Sequence, residues 1–117
     1  MRRFWDAAVA LDPAARELDE GQRFGGVCRL DVLADLFHDA GLRGIAARAI
    51  DVPTVFRDFE DYWSPFLGGQ GPAPGYAMTL SEEGRVAVRE RLRGDLPTAA
   101  DGTIPLRARA WAVRGER

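Results

Sequence analysis

The side chains of this chain that could do covalent or proton-transfer chemistry are few. There is one histidine, His38, one cysteine, Cys28, and no serine in a nucleophile-elbow pattern, so a nucleophilic triad has almost nothing to draw on. Asp58, Glu60 and Asp61 form a local carboxylate group. Without a partner histidine or an apolar pocket beside them they argue neither a metal site nor a raised-pKa acid, and they read as the wet side of a helix. Gly69-Gln-Gly71-Pro-Ala-Pro-Gly75 has the glycine content of a nucleotide loop. A phosphate cradle needs a strand before it and a helix N-terminus after it, whereas here prolines stand on both sides. A lid or plain connection is the reading. The aromatic set Phe56, Phe59, Tyr62, Trp63 and Phe66 leaves two readings open, core packing or the apolar wall of a substrate pocket.

The elements that would position these residues follow from periodicity and punctuation. Phe4, Trp5, Ala8, Val9 and Leu11 recur at helical spacing and predict an amphipathic helix over 3–12, stopped by Asp12-Pro13. From Ala14 to Gly26 one short helical turn and a loop are expected, with Phe24 as an apolar anchor. Leu30, Leu33, Leu36, Phe37 and Ala40 make a wide apolar stripe on a helix that ends at Gly41. Ile45 to Val52 lacks both helical period and polar face and reads as a strand buried on both faces, closed by Pro53. Thr54 to Leu67 predicts a short aromatic helix broken at Ser64-Pro65, and Gly68 to Gly75 a loop. Ser81 is a good N-cap for a helix running to Leu96, with Glu82 and Glu83 in its first turn and arginines towards its end. After the Asp101-Gly102 turn, Leu106, Ala108, Ala110 and Ala112 alternate with Arg107, Arg109, Trp111 and Val113, a strand with one small-residue face and one arginine–aromatic face.

Composition bounds the function classes. The 117 residues, 46% hydrophobic and 29% charged, suit one compact domain. A net charge of -2 gives no footprint for nucleic acid or an anionic membrane. Arg85, Arg89, Arg91 and Arg93 spread over more than one helix face with Glu82, Glu83 and Glu90 among them, a solvated helix rather than a phosphate strip. Lysine and asparagine are both missing, as a GC-rich bacterial genome would produce. A lone cysteine allows neither an internal disulfide nor a thiolate metal cage and fits a reducing cytoplasm. No apolar run reaches the ~20 residues of a membrane span.

Two stretches carry a resemblance: Asp51-Val-Pro-Thr-Val-Phe-Arg-Asp-Phe-Glu-Asp-Tyr-Trp-Ser-Pro-Phe-Leu-Gly-Gly-Gln-Gly71 and Leu106-Arg-Ala-Arg-Ala-Trp-Ala-Val-Arg-Gly115. Together they resemble the last third of class I S-adenosylmethionine-dependent methyltransferases of the type 11, ubiquinone/menaquinone-biosynthesis-like group. Phe4 to Asp12 is similar to the helix after that family's fifth strand, and Leu30 to Leu42, with its Ala40-Gly41 turn, to the helix leading into its sixth.

The resemblance implies an α/β fold in part, the C-terminal portion of a Rossmann-like methyltransferase. An antiparallel pair of strands, Ile45 to Val52 and Leu106 to Arg114, would stand with about four helices. It implies one region over 1–117, helical over 1–43 and strand–helices–strand over 44–115. It places Phe4 and Trp5 near the acceptor side of the pocket, and Phe56, Tyr62, Trp63, Phe66 and Gln70 in the insertion between the last two strands, where substrate access is shaped. S-adenosyl-L-methionine is the implied cofactor. The family's glycine-rich turn after the first strand and the acidic residue closing the second have no counterpart in these residues, so no cofactor-binding residue is assigned and binding by this chain alone is not expected. The implied partners are a small-molecule substrate and, through exposed strand edges, a second copy or a complementing chain. The alternatives are a non-enzymatic α+β module that binds a ligand or partner through its aromatic segment, and a cyclase- or isomerase-like pocket, which the lack of an acid–base pair disfavours.

Overall fold

The computed structural model describes residues 1–23 and 26–117. Helix α1 spans Arg2–Leu11 and ends at Asp12, whose carboxylate accepts from the Ala14 amide at the head of a 3₁₀ turn, Pro13–Leu18. The single-turn helix α2 follows at Glu20–Arg23, then α3 at Leu30–Asp39. The expected Phe24 anchor lies outside the described residues. Strand β1 runs from Arg43 to Phe56, α4 from Phe59 to Trp63, a 3₁₀ turn from Ser64 to Gly68, α5 from Pro72 to Thr79, α6 from Glu82 to Asp95 and strand β2 from Ile104 to Glu116. The architecture is mixed α and β, with six α-helices and one antiparallel two-stranded sheet among the described residues.

Local chemistry explains most boundaries. Gly41 turns left-handed (φ 80°) at the end of α3, which lets the Leu42 amide reach back to the Phe37 carbonyl at 3.1 Å. Ser81 caps α6 by accepting from the Gly84 amide at 3.1 Å. Asp58 caps α4 by accepting from the Asp61 amide at 2.8 Å.

Three sequence expectations need correction. The segment 68–75 is not a loop throughout, because Pro72 begins α5 and Pro74 falls within its first turn. Amides in the first turn have no intrahelical acceptor, so proline costs nothing there, and the positive φ of Gly71 (91°) sets the entry. Pro53 does not close β1. Both strands of a two-stranded sheet are edges, which tolerate proline, and Pro53 pairs opposite Arg107 while the strand continues to Phe56. Phe56 is therefore a strand residue, outside the aromatic helix.

The third correction concerns burial. No residue of β1 is fully buried, and of β2 only Ile104 is. Ile50 is 44% and Val52 52% exposed, and α3, though it leans on the ribbon, has no fully buried residue: Leu30, Leu33 and Phe37 are half-buried and Leu36 is 51% exposed. Apolar strand composition reports what a strand can bury, and no element among the described residues covers this one.

The core lies elsewhere, in a helical head. Phe4, Trp5, Ala7 and Ala8 of α1 meet Phe59, Tyr62 and Trp63 of α4, Phe66 of the following turn, Tyr76 and Ala77 of α5, Val88 and Leu92 of α6, and Ile104. Eight aromatic rings, seven within this cluster and Phe56 at its margin, pack in edge-to-face, stacked and tilted pairs, an arrangement that adds to simple area burial. The molecule is correspondingly extended, 52 × 34 × 22 Å, with a radius of gyration of 17.1 Å where a compact domain of this length has about 13 Å. It exposes 7970 Å², whereas a folded monomer of its 12.9 kDa mass exposes about 6,300 Å².

Candidate functional site

A cleft of about 580 Å³ opens where the start of α1 meets the end of β1 and the start of β2. Helix α1 contributes Arg2, Arg3 and Asp6 to it, β1 contributes Thr54 and Phe56, α4 contributes Tyr62, and β2 contributes Leu106 and Arg107. The antiparallel register brings the strand residues together, since Thr54 stands opposite Leu106 and Pro53 opposite Arg107. The Phe56 and Tyr62 rings meet edge to face, 5.1 Å apart at 84°.

Tyr62 is the unusual group. Its side chain is 5% exposed, and its hydroxyl is sealed from water with no hydrogen-bond partner among the described residues. Burial pushes its pKa up to about 12, with the Arg3 charge pulling in the opposite direction. At neutral pH it is therefore a neutral hydroxyl, a donor and not a base. Around it, Arg2 is engaged by Asp6 at 2.8 Å and by the buried Asp19 at 2.7 Å. Arg107 reaches Asp51 only at 3.7 Å, because Arg109 holds that carboxylate through two bonds of 2.6 and 2.7 Å.

The residues that the sequence singled out divide into three groups. Phe4, Trp5, Trp63 and Phe66 are buried in the core of the head. Phe56 and Tyr62 line the cleft. Gln70 is exposed between the 3₁₀ turn and α5. Trp5 is further tied by its indole N–H, which donates to Glu20 at 3.1 Å, and Tyr76 donates to Asp12 at 3.3 Å.

The other candidates resolve into structural roles. Asp58 is a cap, Asp61 accepts from the Arg57 guanidinium at 3.0 Å, and Glu60 pairs with Arg89 and Arg93. Arg93 also lies over the Phe59 ring, 4.1 Å from its centroid, and Arg85 donates to the Ala77 and Leu80 carbonyls at the end of α5. The arginines of α6 thus tie it to α4 and α5. His38 is exposed beside Asp39. Among the described residues no group of His, Cys, Asp and Glu is placed to hold a metal ion, and no helix is long and apolar enough to cross a membrane.

Sequence reasoning missed Arg3, Thr54, Leu106 and Arg107 as site residues. Alternation placed Arg107 on one face of a strand, but its meeting with α1 depends on strand register and helix packing, which no local pattern encodes. No known protein family, curated protein or solved structure matches the chain.

Proposed function

We propose that residues 1–117 are the acceptor-side, C-terminal region of a class I S-adenosylmethionine-dependent methyltransferase, inactive alone and completed by polypeptide that carries the donor half. The observation that carries this reading is the surplus surface. The chain exposes about 1,700 Å² more than a folded monomer of its mass, about twice the roughly 800 Å² that one partner contributes to a standard protein–protein interface and on the scale of one side of an obligate one.

That surplus has a location. Two strands of 14 and 13 residues pair only with each other, leaving both outer edges free among the described residues, and α3, which packs beside them, carries an apolar stripe that is at most half-buried. An isolated two-stranded ribbon is marginal in water, and a free edge is a template for a further strand. As the terminal pair of a larger sheet, β1 and β2 would gain a neighbouring strand along one edge and helical cover on their faces, while α3 would gain a surface for its stripe.

Chemistry points the same way. Methyl transfer requires the sulfonium carbon and the acceptor atom held in line at near-contact distance, and that positioning is most of what such an enzyme contributes. The described residues offer a cleft of about 580 Å³, within the range of small-molecule sites, at the head–ribbon junction with Phe56 and Tyr62 in its wall. They offer no glycine-rich turn between a strand and a helix, so the donor is assigned to the completing polypeptide.

Calorimetric titration with S-adenosylmethionine tests the reading. The purified chain gives no binding heat, and the polypeptide extended upstream through the preceding reading frame binds saturably. Saturable binding to residues 1–117 alone would place the donor site in this chain and overturn the assignment, and an extended polypeptide that does not bind removes the methyltransferase reading.

One observation favours a second reading, a non-enzymatic binding module: the aromatic core of the head closes using mainly α1, α4, α5 and α6. A chain that is monomeric and melts in one cooperative transition supports it.

A further inference from the structure

Tyr62 presents a cost that the fold leaves standing. A buried hydroxyl without a partner forfeits its hydrogen bonds to water, and a phenylalanine would pack the same ring without that loss. The same residue lines the cleft at the head–ribbon junction, whose volume falls in the range of small-molecule sites. The cleft also carries surplus positive charge. Asp6 is matched by Arg2, Arg107 is only loosely held, and among the described residues no ion pair engages Arg3.

We propose that this cleft binds a small organic carboxylate with a flat apolar body, the carboxylate facing Arg3 and the Tyr62 hydroxyl and the body lying against Phe56 and Leu106. Each part of that ligand answers a feature of the wall. One carboxylate supplies two acceptor atoms, and the site offers a guanidinium and a neutral hydroxyl that lack partners among the described residues. Phe56, half-buried and backed edge to face by the buried Tyr62, presents aromatic surface to a ring. A nucleotide or polyphosphate is a poorer fit, since no glycine-rich turn lies in the wall and Arg2 is already engaged twice. The hydroxyl is covered in this structure, so a ligand must part the side chains over it. Binding at Tyr62 is coupled to that movement.

The inference concerns binding only and does not depend on methyl transfer. It is tested by calorimetry on the purified full chain with 2-naphthoate, using 2-naphthamide as its neutral counterpart of similar shape. The acid binds saturably and the amide at least about tenfold more weakly, the size expected for a lost charge-assisted hydrogen bond. Tyr62→Phe and Arg3→Gln each weaken the acid by about tenfold with the melting temperature held or raised, while Arg91→Gln, on α6 outside the cleft, changes nothing. Equal affinity for acid and amide, absence of saturation by the acid at millimolar concentration, or indifference to both cleft substitutions would each overturn the proposal. All three outcomes can occur whether or not the chain belongs to a methyltransferase.

Discussion

The ring of Phe4 lies on the ring of Phe66, with centroids 4.6 Å apart and planes 11° from parallel. Both residues are buried, and Phe4 also meets Trp5 and Tyr76 edge to face. This stack joins α1 to the segment between the two strands, so residues more than sixty positions apart hold the head together. Other packing in the head radiates from it.

Phe4→Ala removes the stack and opens a cavity between α1 and the turn that carries Phe66. Truncation of a buried phenylalanine costs about 3–5 kcal/mol, a large share of the stability of any small domain. Urea unfolding followed by tryptophan fluorescence measures the loss, with Phe4→Leu falling well below it. A cost under about 1 kcal/mol would mean that α1 is not packed where its ring contacts place it.

Elements written in local patterns were legible before any coordinates. Helices α1, α3 and α6 fall within a residue or two of the stripes and caps that predict them, and β2 follows its alternation. The antiparallel pairing of β1 with β2 is the one expected for a mixed α and β chain. Pro72 and Pro74 misled because proline reads as a breaker unless the helix start is already known. Burial of β1 was not legible at all, since an apolar strand looks the same whether its cover is present or not. The aromatic set was read as either core or pocket wall, and it is divided: Trp63 and Phe66 pack inward while Phe56 and Tyr62 reach the cleft. The expected aromatic helix over Thr54 to Leu67 included Phe56. The strand claims Phe56 instead, because its backbone pairs with Ile104.

Asp51 and Arg109 stand directly opposite each other across the ribbon and form a two-bond ion pair. The Arg109 side chain holds the Asp51 carboxyl below its usual pKa. A depressed carboxylate pKa stabilises the fold above the unfolded-state value, and the contribution is lost as pH falls through the folded one. Carbon-13 titration of the aspartate carboxyls should show Asp51 titrating below ordinary aspartate, returning towards it in Arg109→Gln and at high salt. A normal Asp51 midpoint in the unsubstituted chain would contradict the pairing.

Free strand edges and half-exposed Ile50 and Val52 give the chain a reason to self-associate when nothing else covers the ribbon. Sedimentation velocity at micromolar concentration should show dimers or larger species. The double substitution Ile50→Lys with Val52→Lys, two positions apart on one face of β1, should raise the monomer fraction without moving the melting temperature of the head. A strictly monomeric starting chain would show that the ribbon is stable uncovered and would weaken the case for a missing layer.

Tyr62 sets the alkaline limit of the head. Its pKa in the folded chain is about 12 against an ordinary 10.0, because burial penalises the phenolate. The unfolded chain ionises first, so the stabilisation is complete below about pH 10 and is lost as pH rises from there towards 12. A rise of that size corresponds to at most about 2–3 kcal/mol across the interval. Tyr62→Phe has no phenol to ionise, and at neutral pH it also relieves an unpaired hydroxyl, so it should match or exceed the original chain in urea at pH 7 and outlast it by a growing margin above about pH 10. Tyr76, whose pKa is also raised by burial beside Asp12, is present in both proteins and cancels in the comparison. Parallel loss of stability in the two chains between about pH 10 and 12 would mean that Tyr62 is not sealed in the folded state, and it would remove the unpaired donor from the wall of the cleft as well.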